Sequence, residues 1–292
     1  MQQETLVVNL SPADGARIER ELAGPEFERR TVEHARFSVK GPGFVATLYR
    51  SGKLVVQGSE VQLFARRFLD GVDALAARAA EAPIAVGERT LVGSDEVGKG
   101  DYFGPLVVVA VRADARERAE LARSGVADSK TLSDERVRIL APALEQRYTF
   151  TSEVLAPAEY NVELPRHRSL NELLADLHAR CIRRLAPPGA LVLVDKFANE
   201  SLLAKRLAGV DLELHQETRA EREPVVAAAS VIARNLFLEE LKKLSDEFAV
   251  ELHKGAGEPT DRAACEFVRL HGRPALARVA KLHFKNTERI RG

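Results

Sequence analysis

Asp95 and Glu96 stand side by side in Gly93-Ser94-Asp95-Glu96-Val97-Gly98-Lys99-Gly100-Asp101-Tyr102-Phe103-Gly104-Pro105, two carboxylates followed at once by a glycine-rich turn. Carboxylate oxygens are ligands for hard divalent cations, and backbone amides close by suit a phosphate held by the same cation. The glycines at 98 and 100 let the main chain approach a ligand closely. Spacing alone offers a second chemistry. Gly93-x4-Gly98-Lys99 matches the phosphate-cradling P-loop, with Leu191-Val192-Leu193-Val194-Asp195 as the strand and aspartate that assist it. That match breaks at two points: Gly100 stands where a hydroxyl residue should hold magnesium, and Asp95 and Glu96 bring negative charge into a loop that must receive triphosphate. Acids that bind metal, with metal binding phosphate, is the better reading. A P-loop-like NTPase is the alternative, and a merely solvated turn is the featureless one.

Two further acids lie in settings of the same kind. Asp195 ends a four-residue apolar strand, and in α/β sheets the carboxyl edge of the strands is where ligands sit, although an aspartate there also serves as a turn former. Arg219-Ala220-Glu221-Arg222-Glu223-Pro224 precedes an alanine-rich helix and offers Glu221 or Glu223 as a fourth acid. Either is favoured at a helix start by the dipole alone. Acids gathered from such distant positions repel one another unless cations neutralise them.

The elements that must position these acids are legible in the periodicity. Ser11-Pro12-Ala13-Asp14 reads as a helix start, and Ala35 to Lys40, Phe44 to Tyr49 and Lys53 to Gln57 as a meander of short strands. Helical spacing follows from Glu60 to Ala80. This unit, residues 1–82, is expected to be a small α+β domain, joined by a linker at 83–89 to a second domain over 90–292. There, strands at Thr90 to Ser94, Leu106 to Val111, Tyr148 to Leu155, Leu191 to Val194 and Leu212 to His215 alternate with helices. The helices are expected toward Leu144, over Leu170 to Leu185 and over Val225 to Leu244, so the domain is α/β with a central sheet.

With 292 residues, 45% of them hydrophobic, the chain can bury a sizeable core. The 43 basic and 43 acidic residues balance overall, yet the stretch from Arg29 to Arg67 and the segment from Leu252 onward are both basic in excess. Basic flanks around an acidic centre suit a polyanion held at its edges, although basic runs also simply solvate helix faces. Cys181 and Cys265 are too few for a disulfide scaffold or a thiolate zinc site, which fits a reducing, cytoplasmic compartment. The amino terminus lacks the basic start and apolar core of a signal peptide, and no apolar run approaches the roughly 20 residues that span a bilayer. A soluble protein is expected.

The Gly93 to Pro105 segment resembles the signature of the bacterial type 2 ribonucleases H, specifically ribonuclease HIII. Asp128-Ser129-Lys130 is similar to the phosphate-binding stretch of that family, Leu193-Val194-Asp195 to its third acid, and Pro224 to Arg234 to the helix after the fourth. Thr47 to Gly58 resembles part of the TATA-binding-protein-like domain that marks HIII, so the likeness covers nearly the whole chain. The resemblance implies a ribonuclease H-like catalytic domain with a mixed sheet flanked by helices, behind a TATA-binding-protein-like substrate-binding domain. It implies an endonuclease that cleaves the RNA strand of RNA–DNA hybrids with two divalent cations, Mg2+ or Mn2+, leaving 5′-phosphate and 3′-hydroxyl ends. By the same likeness Asp95, Glu96, Asp195 and Glu221 are catalytic acids and metal ligands, with Glu223 a competitor for the last because the spacing to the helix is about one residue short. Gly98, Lys99 and Gly100 are implied to contact ribose. Ser129, Lys130, Tyr160, Asn161, Asn171, Ser230 and Lys254 are expected along the substrate path, and Arg50 and Lys53 where the first domain meets the hybrid. No obligate protein partner or membrane is implied, and a monomer is expected. A non-catalytic hybrid-binding protein is the remaining alternative.

Overall fold

The computed structural model describes residues 4–69, 87–124, 126 and 132–290. The chain divides into two compact units, Met1–Ala85 and Val86–Gly292. Of the linker expected at 83–89, residues 83–86 lie outside the described residues, as do Asp128, Ser129 and Lys130.

The first unit is a five-stranded sheet in the order β1-β5-β4-β3-β2, built from Glu4–Asn9 (β1), Glu28–Arg30 (β2), Ala35–Gly41 (β3), Phe44–Tyr49 (β4) and Lys53–Gly58 (β5), with every neighbour antiparallel. The meander is where the alternating pattern puts it; β1 and β2 are additions that the pattern does not announce. Two helices cover one face. The first, Pro12–Glu21 (α1), starts where Ser11 accepts a hydrogen bond from Asp14 N; the second is Val61–Phe68 (α2). Ile18 and Leu22 from the α1 segment and Phe64 and Phe68 from α2 pack on Val39, Ala46, Leu48, Leu54 and Val56. Each Val, Leu, Ile or Phe side chain among them, fully buried, contributes about 1.5–3 kcal/mol.

The second unit contains Leu91–Val97 (β6), Leu106–Ala113 (β7), Ala115–Arg123 (α3), Asp134–Arg147 (α4), Thr149–Leu155 (β8), Pro157–Glu163 (α5), Leu170–Leu185 (α6), Ala190–Asp195 (β9), Glu200–Arg206 (α7), Leu212–Glu217 (β10), Pro224–Phe248 (α8), Glu258–His271 (α9) and Asn286–Arg289 (α10). Its sheet runs β10-β9-β6-β7-β8; β9 is parallel to both β6 and β10, whereas β7 is antiparallel to β6 and β8. This is the mixed sheet expected. One face meets α6, where Leu173, Leu174, Leu177 and Ile182 pack on Val92, Val108, Ala110 and Val192. The other meets α8. Gly93 permits that approach: a Cβ there would lie 2.6 Å from Val226 N and 2.7 Å from the carbonyl carbon of Val225.

One boundary differs in a way that bears on function. β6 does not end before the paired acids but continues through them to Val97, because β7 pairs with it the whole way, Asp95 opposite Val109 and Glu96 opposite Val108. The pairing of β6 with β9 stops at Ser94 and Val194. The acids therefore sit on strand backbone that has a neighbour on one side only.

Candidate active site

Successive strand residues point to opposite faces of a sheet, so the two adjacent acids part company. Asp95 meets α8, where Ser230 hydrogen-bonds its carboxylate, and its Oδ1 accepts from Glu96 N at 2.8 Å. It is only 5% exposed. Burial first, then the charge of Glu96 and more weakly that of Asp195, raise its pKa from the ordinary 3.8 to about 7, against the pull of the hydrogen bonds from Ser230 and Glu96 N. Glu96 turns instead toward α6, where its Oε2 lies 3.2 Å from His178 Nε2. Its other oxygen is 3.9 Å from Lys99 Nζ, which donates to Phe197 O at 3.2 Å.

Asp195 ends β9, one residue beyond the last β6–β9 pair, which places it beside Asp95 on the neighbouring strand. Its Oδ1 accepts from Ala220 N at 3.0 Å. Ala220 opens a 3-10 turn, Ala220–Arg222, entered through Arg219 with a left-handed φ of 63°. Glu221 on that turn is buried, 7% exposed. Glu223 begins α8 and lies 3.7 Å from Arg118 Nε on α3; burial raises its pKa, and Arg118 opposes the rise.

The loop after β6 is not a P-loop in form. A P-loop opens a helix, whereas Gly98-Lys99-Gly100 leads through a turn into β7. Gly98 has φ 97°, and a Cβ there would stand 2.2 Å from Pro105 O; at Gly100 a Cβ would meet nothing within 4 Å. The loop's second half is fastened to the carboxyl-terminal segment. Tyr102 N donates to Gly255 O and Gly104 N to Val279 O, while Lys281 Nζ donates to the carbonyls of Asp101 at 2.8 Å and Gly104 at 2.6 Å.

Several residues expected along the substrate path have partners inside the protein. Tyr160 is buried, with its hydroxyl 3.4 Å from His283 Nδ1. Asn161 donates to Ala277 O and Ala280 O and accepts from Leu282 N, so all its polar atoms serve the carboxyl-terminal segment. Lys254 pairs with Asp134, which Arg234 also holds through Nε at 3.1 Å. Burial pushes the pKa of Asp134 up, but Lys254 and Arg234 together leave it lowered. Asn171 is half-buried in the first turn of α6, and Ser230 serves Asp95 as described. Arg50 and Lys53 are exposed around the β4–β5 turn of the first unit. Cys181 and Cys265 are free thiols, the first buried and the second exposed.

The pattern gave no notice of His178, Phe197 or Lys281. A histidine inside the apolar stripe of α6, between Leu174 and Cys181, was the available signal, since a buried imidazole must find polar partners.

Among the described residues no three carboxylate, histidine or cysteine side chains converge tightly enough to hold one ion as they stand. The chemistry of the set nevertheless fits a hard cation: all four acids offer oxygen, and Asp95 is buried beside two like charges, an arrangement that added positive charge relieves.

The family model described as Ribonuclease HII matches residues 92–287, and a domain of unknown function, DUF3378, matches residues 5–77. Ribonuclease HIII of Protochlamydia amoebophila is 38% identical over 89% of this chain and 87% of its own length. The Chlamydia abortus protein of the same name is 37% identical over 96% of this chain and 95% of its own. Among solved structures, Bst-RNase HIII in complex with Mn2+ superposes with a TM-score of 0.64 at 32% identity, covering 98% of this chain and 97% of that one. The chain belongs to the ribonuclease HIII family. That membership, with the form of the 98–100 turn, sets aside the P-loop NTPase. Among the described residues no helix is long and apolar enough to cross a membrane.

Proposed function

We propose that this chain is a cytoplasmic, monomeric endonuclease that hydrolyses the RNA strand of RNA–DNA hybrids, leaving 5′-phosphate and 3′-hydroxyl ends. Asp95, Glu96, Asp195 and Glu221 would hold two divalent cations, Mg2+ or Mn2+. The observation that carries the reading is Asp95, a carboxylate buried at the sheet edge with the charges of Glu96 and Asp195 beside it, in a family of which one solved member is a complex with Mn2+. When bound, such ions acidify a water for attack on the scissile phosphorus and stabilise the leaving 3′ oxygen.

The chain's own groups hold the substrate. Main-chain groups at Gly98 and Gly100 suit the ribose 2′-hydroxyl, the atom by which a protein tells RNA from DNA. Lys99, anchored on Phe197 O, keeps that turn close to Glu96. Ser129 and Lys130 are assigned to phosphate contact by resemblance, and Lys254 joins them by exchanging Asp134 for a phosphate oxygen. The unit over residues 1–82, with Arg50 and Lys53 exposed at a turn, is proposed to bind the hybrid backbone. Reversing both charges, Arg50→Glu with Lys53→Glu, then weakens hybrid binding and lowers its salt slope by about 2.

The deciding experiment is a labelled RNA–DNA hybrid incubated with Mg2+ or Mn2+, beside an Asp95→Asn variant. Metal-dependent cutting by the wild type alone is the expected result. Hybrid that is bound but left intact identifies a non-catalytic binding protein and overturns the proposal.

A further inference from the structure

We infer that His178 is a positioning residue that holds Glu96 in the orientation the acid set requires, an inference that rests on the proposed metal-binding role of Glu96. His178 sits in the middle of α6 and is completely buried. Both ring nitrogens have polar partners. Nδ1 lies 2.8 Å from Ser94 Oγ and Nε2 lies 3.2 Å from Glu96 Oε2. An ionised carboxylate only accepts, so Nε2 carries the proton on the Glu96 side, and Nδ1 faces the Ser94 hydroxyl. Ser94 Oγ is in turn 2.9 Å from Val109 O on β7, and with Nδ1 a lone-pair acceptor its single hydroxyl proton serves either Nδ1 or that carbonyl at any one time.

The ring is fixed on its face as well as at its edges. It stacks on Phe197 at 4.7 Å between centroids with the planes 5° apart. Phe197 lies two residues after Asp195, and its carbonyl accepts from Lys99. His178 therefore touches the strand that carries Asp95 and Glu96 and the loop that follows Asp195. A shift of Glu96 against that loop must break the Nε2 hydrogen bond, the stack, or both.

A residue needed only for volume at this place would be leucine, which carries no desolvation cost; burying an imidazole is offset only if its polar partners gain from it. The partner here is one of the proposed ligands, and a carboxylate ligand needs a second hydrogen bond to fix which oxygen faces the ion. A histidine engaged only with main-chain carbonyls would have suggested a structural tie and nothing more.

Glutamine and asparagine separate the two edges, because a glutamine amide reaches the position of Nε2 and an asparagine amide that of Nδ1. Mn2+ binding to the full chain without substrate, measured calorimetrically, is the readout, with kcat and KM on a hybrid alongside. His178→Gln is expected to keep Mn2+ affinity within about threefold. His178→Asn and the stack-preserving His178→Phe are expected to lose about 10–100-fold, the usual cost of removing an outer hydrogen-bond partner. At limiting Mn2+, kcat should fall with affinity while KM for the hybrid stays unchanged. Equal Mn2+ affinity in the Gln and Asn variants overturns the inference while leaving the parent reading intact, provided the wild type binds Mn2+ and Asp95→Asn does not. A wild type that binds no Mn2+ overturns both.

Discussion

Asp195 accepts a hydrogen bond from the main-chain N–H of Ala220 at 3.0 Å, so the acid that ends β9 is fastened to the turn that presents Glu221. Glu223, two residues on, faces Arg118 and starts α8. The two candidates for the fourth acid thus belong to different neighbourhoods, one tied to Asp195 and the other to α3. Glu221→Gln is expected to reduce cleavage by more than about 100-fold, beyond what outer hydrogen-bond partners usually contribute. Glu223→Gln should leave cleavage within about threefold, since its charge serves Arg118 and the start of a helix. Single-turnover cleavage of a hybrid by both variants checks this; comparable losses would contradict the assignment.

Asp95 makes a prediction about stability and pH. Its pKa is raised to about 7 from an ordinary 3.8 by burial, then by Glu96 and Asp195. The folded state holds this proton more tightly than the unfolded chain, so the stabilisation is complete below pH 3.8 and is lost as pH rises toward 7. A shift of that size corresponds to roughly a few kcal/mol. Thermal melts of the metal-free protein should show this pH-dependent loss, and the Asp95→Asn protein, which has no carboxyl to titrate there, should be flatter over the same window. Added Mn2+ should raise Tm more at pH 8 than at pH 5, where it competes with the proton. Equal Mn2+ stabilisation at both pH values would exclude Asp95 as a ligand.

Much of this arrangement was legible in the chain. Asp95, Glu96 and Asp195 stand out in the sequence because strands leave a plain signal, an apolar β-branched run, and because acids at the end of one are conspicuous. The opposite facing of Asp95 and Glu96 was not legible, since it depends on how far β7 pairs along β6, and pairing is a property of two segments. The partners of His178 and Lys281 leave no signal in the sequence for a related reason: they lie about 80 to 180 positions away, Ser94 and Glu96 for the first, Asp101 and Gly104 for the second. The family likeness points to Tyr160 and Asn161 along the substrate path; what the sequence does not show is that their partners are the main chain and ring of the carboxyl-terminal segment, which no local pattern couples to α5.

Gly93 and Gly100 predict opposite outcomes for the same substitution. A Cβ at Gly93 would collide with backbone atoms of Val225 and Val226, which cannot swing aside, so α8 must move off β6 and carry Ser230 away from Asp95. Gly93→Ala is expected to cost about 1–3 kcal/mol in urea unfolding and to lower cleavage with it. At Gly100 a Cβ meets nothing, and the φ there is not one that glycine alone prefers. Gly100→Ala should leave stability within about 0.5 kcal/mol. A loss of hybrid affinity in that stable variant would mark Gly100 as a point where substrate approaches the main chain, and unchanged affinity would remove it from the ribose contact.

Lys281 offers a test of how the loop after Gly100 is held. Its side chain is 1% exposed, and burial pushes its pKa from 10.5 down to about 7, with Asp101 pulling the other way. Its ammonium nevertheless has carbonyl acceptors at Asp101, Gly104 and, at 3.4 Å, Phe103, and it lies 5.8 Å from the Tyr160 ring centroid. Lys281→Met keeps the stem and removes the donors, leaving buried carbonyls of the loop without them. A loss of about 1–3 kcal/mol in stability follows from the desolvated acceptors. Because those acceptors belong to residues directly after Gly98-Lys99-Gly100, KM for the hybrid should rise more than kcat falls, while Mn2+ affinity, which the proposed site draws from acids on β6, on β9 and on the 220–222 turn, should stay as in the wild type. A variant that loses Mn2+ affinity as strongly as hybrid affinity would mean that the loop and the acid set move as one body.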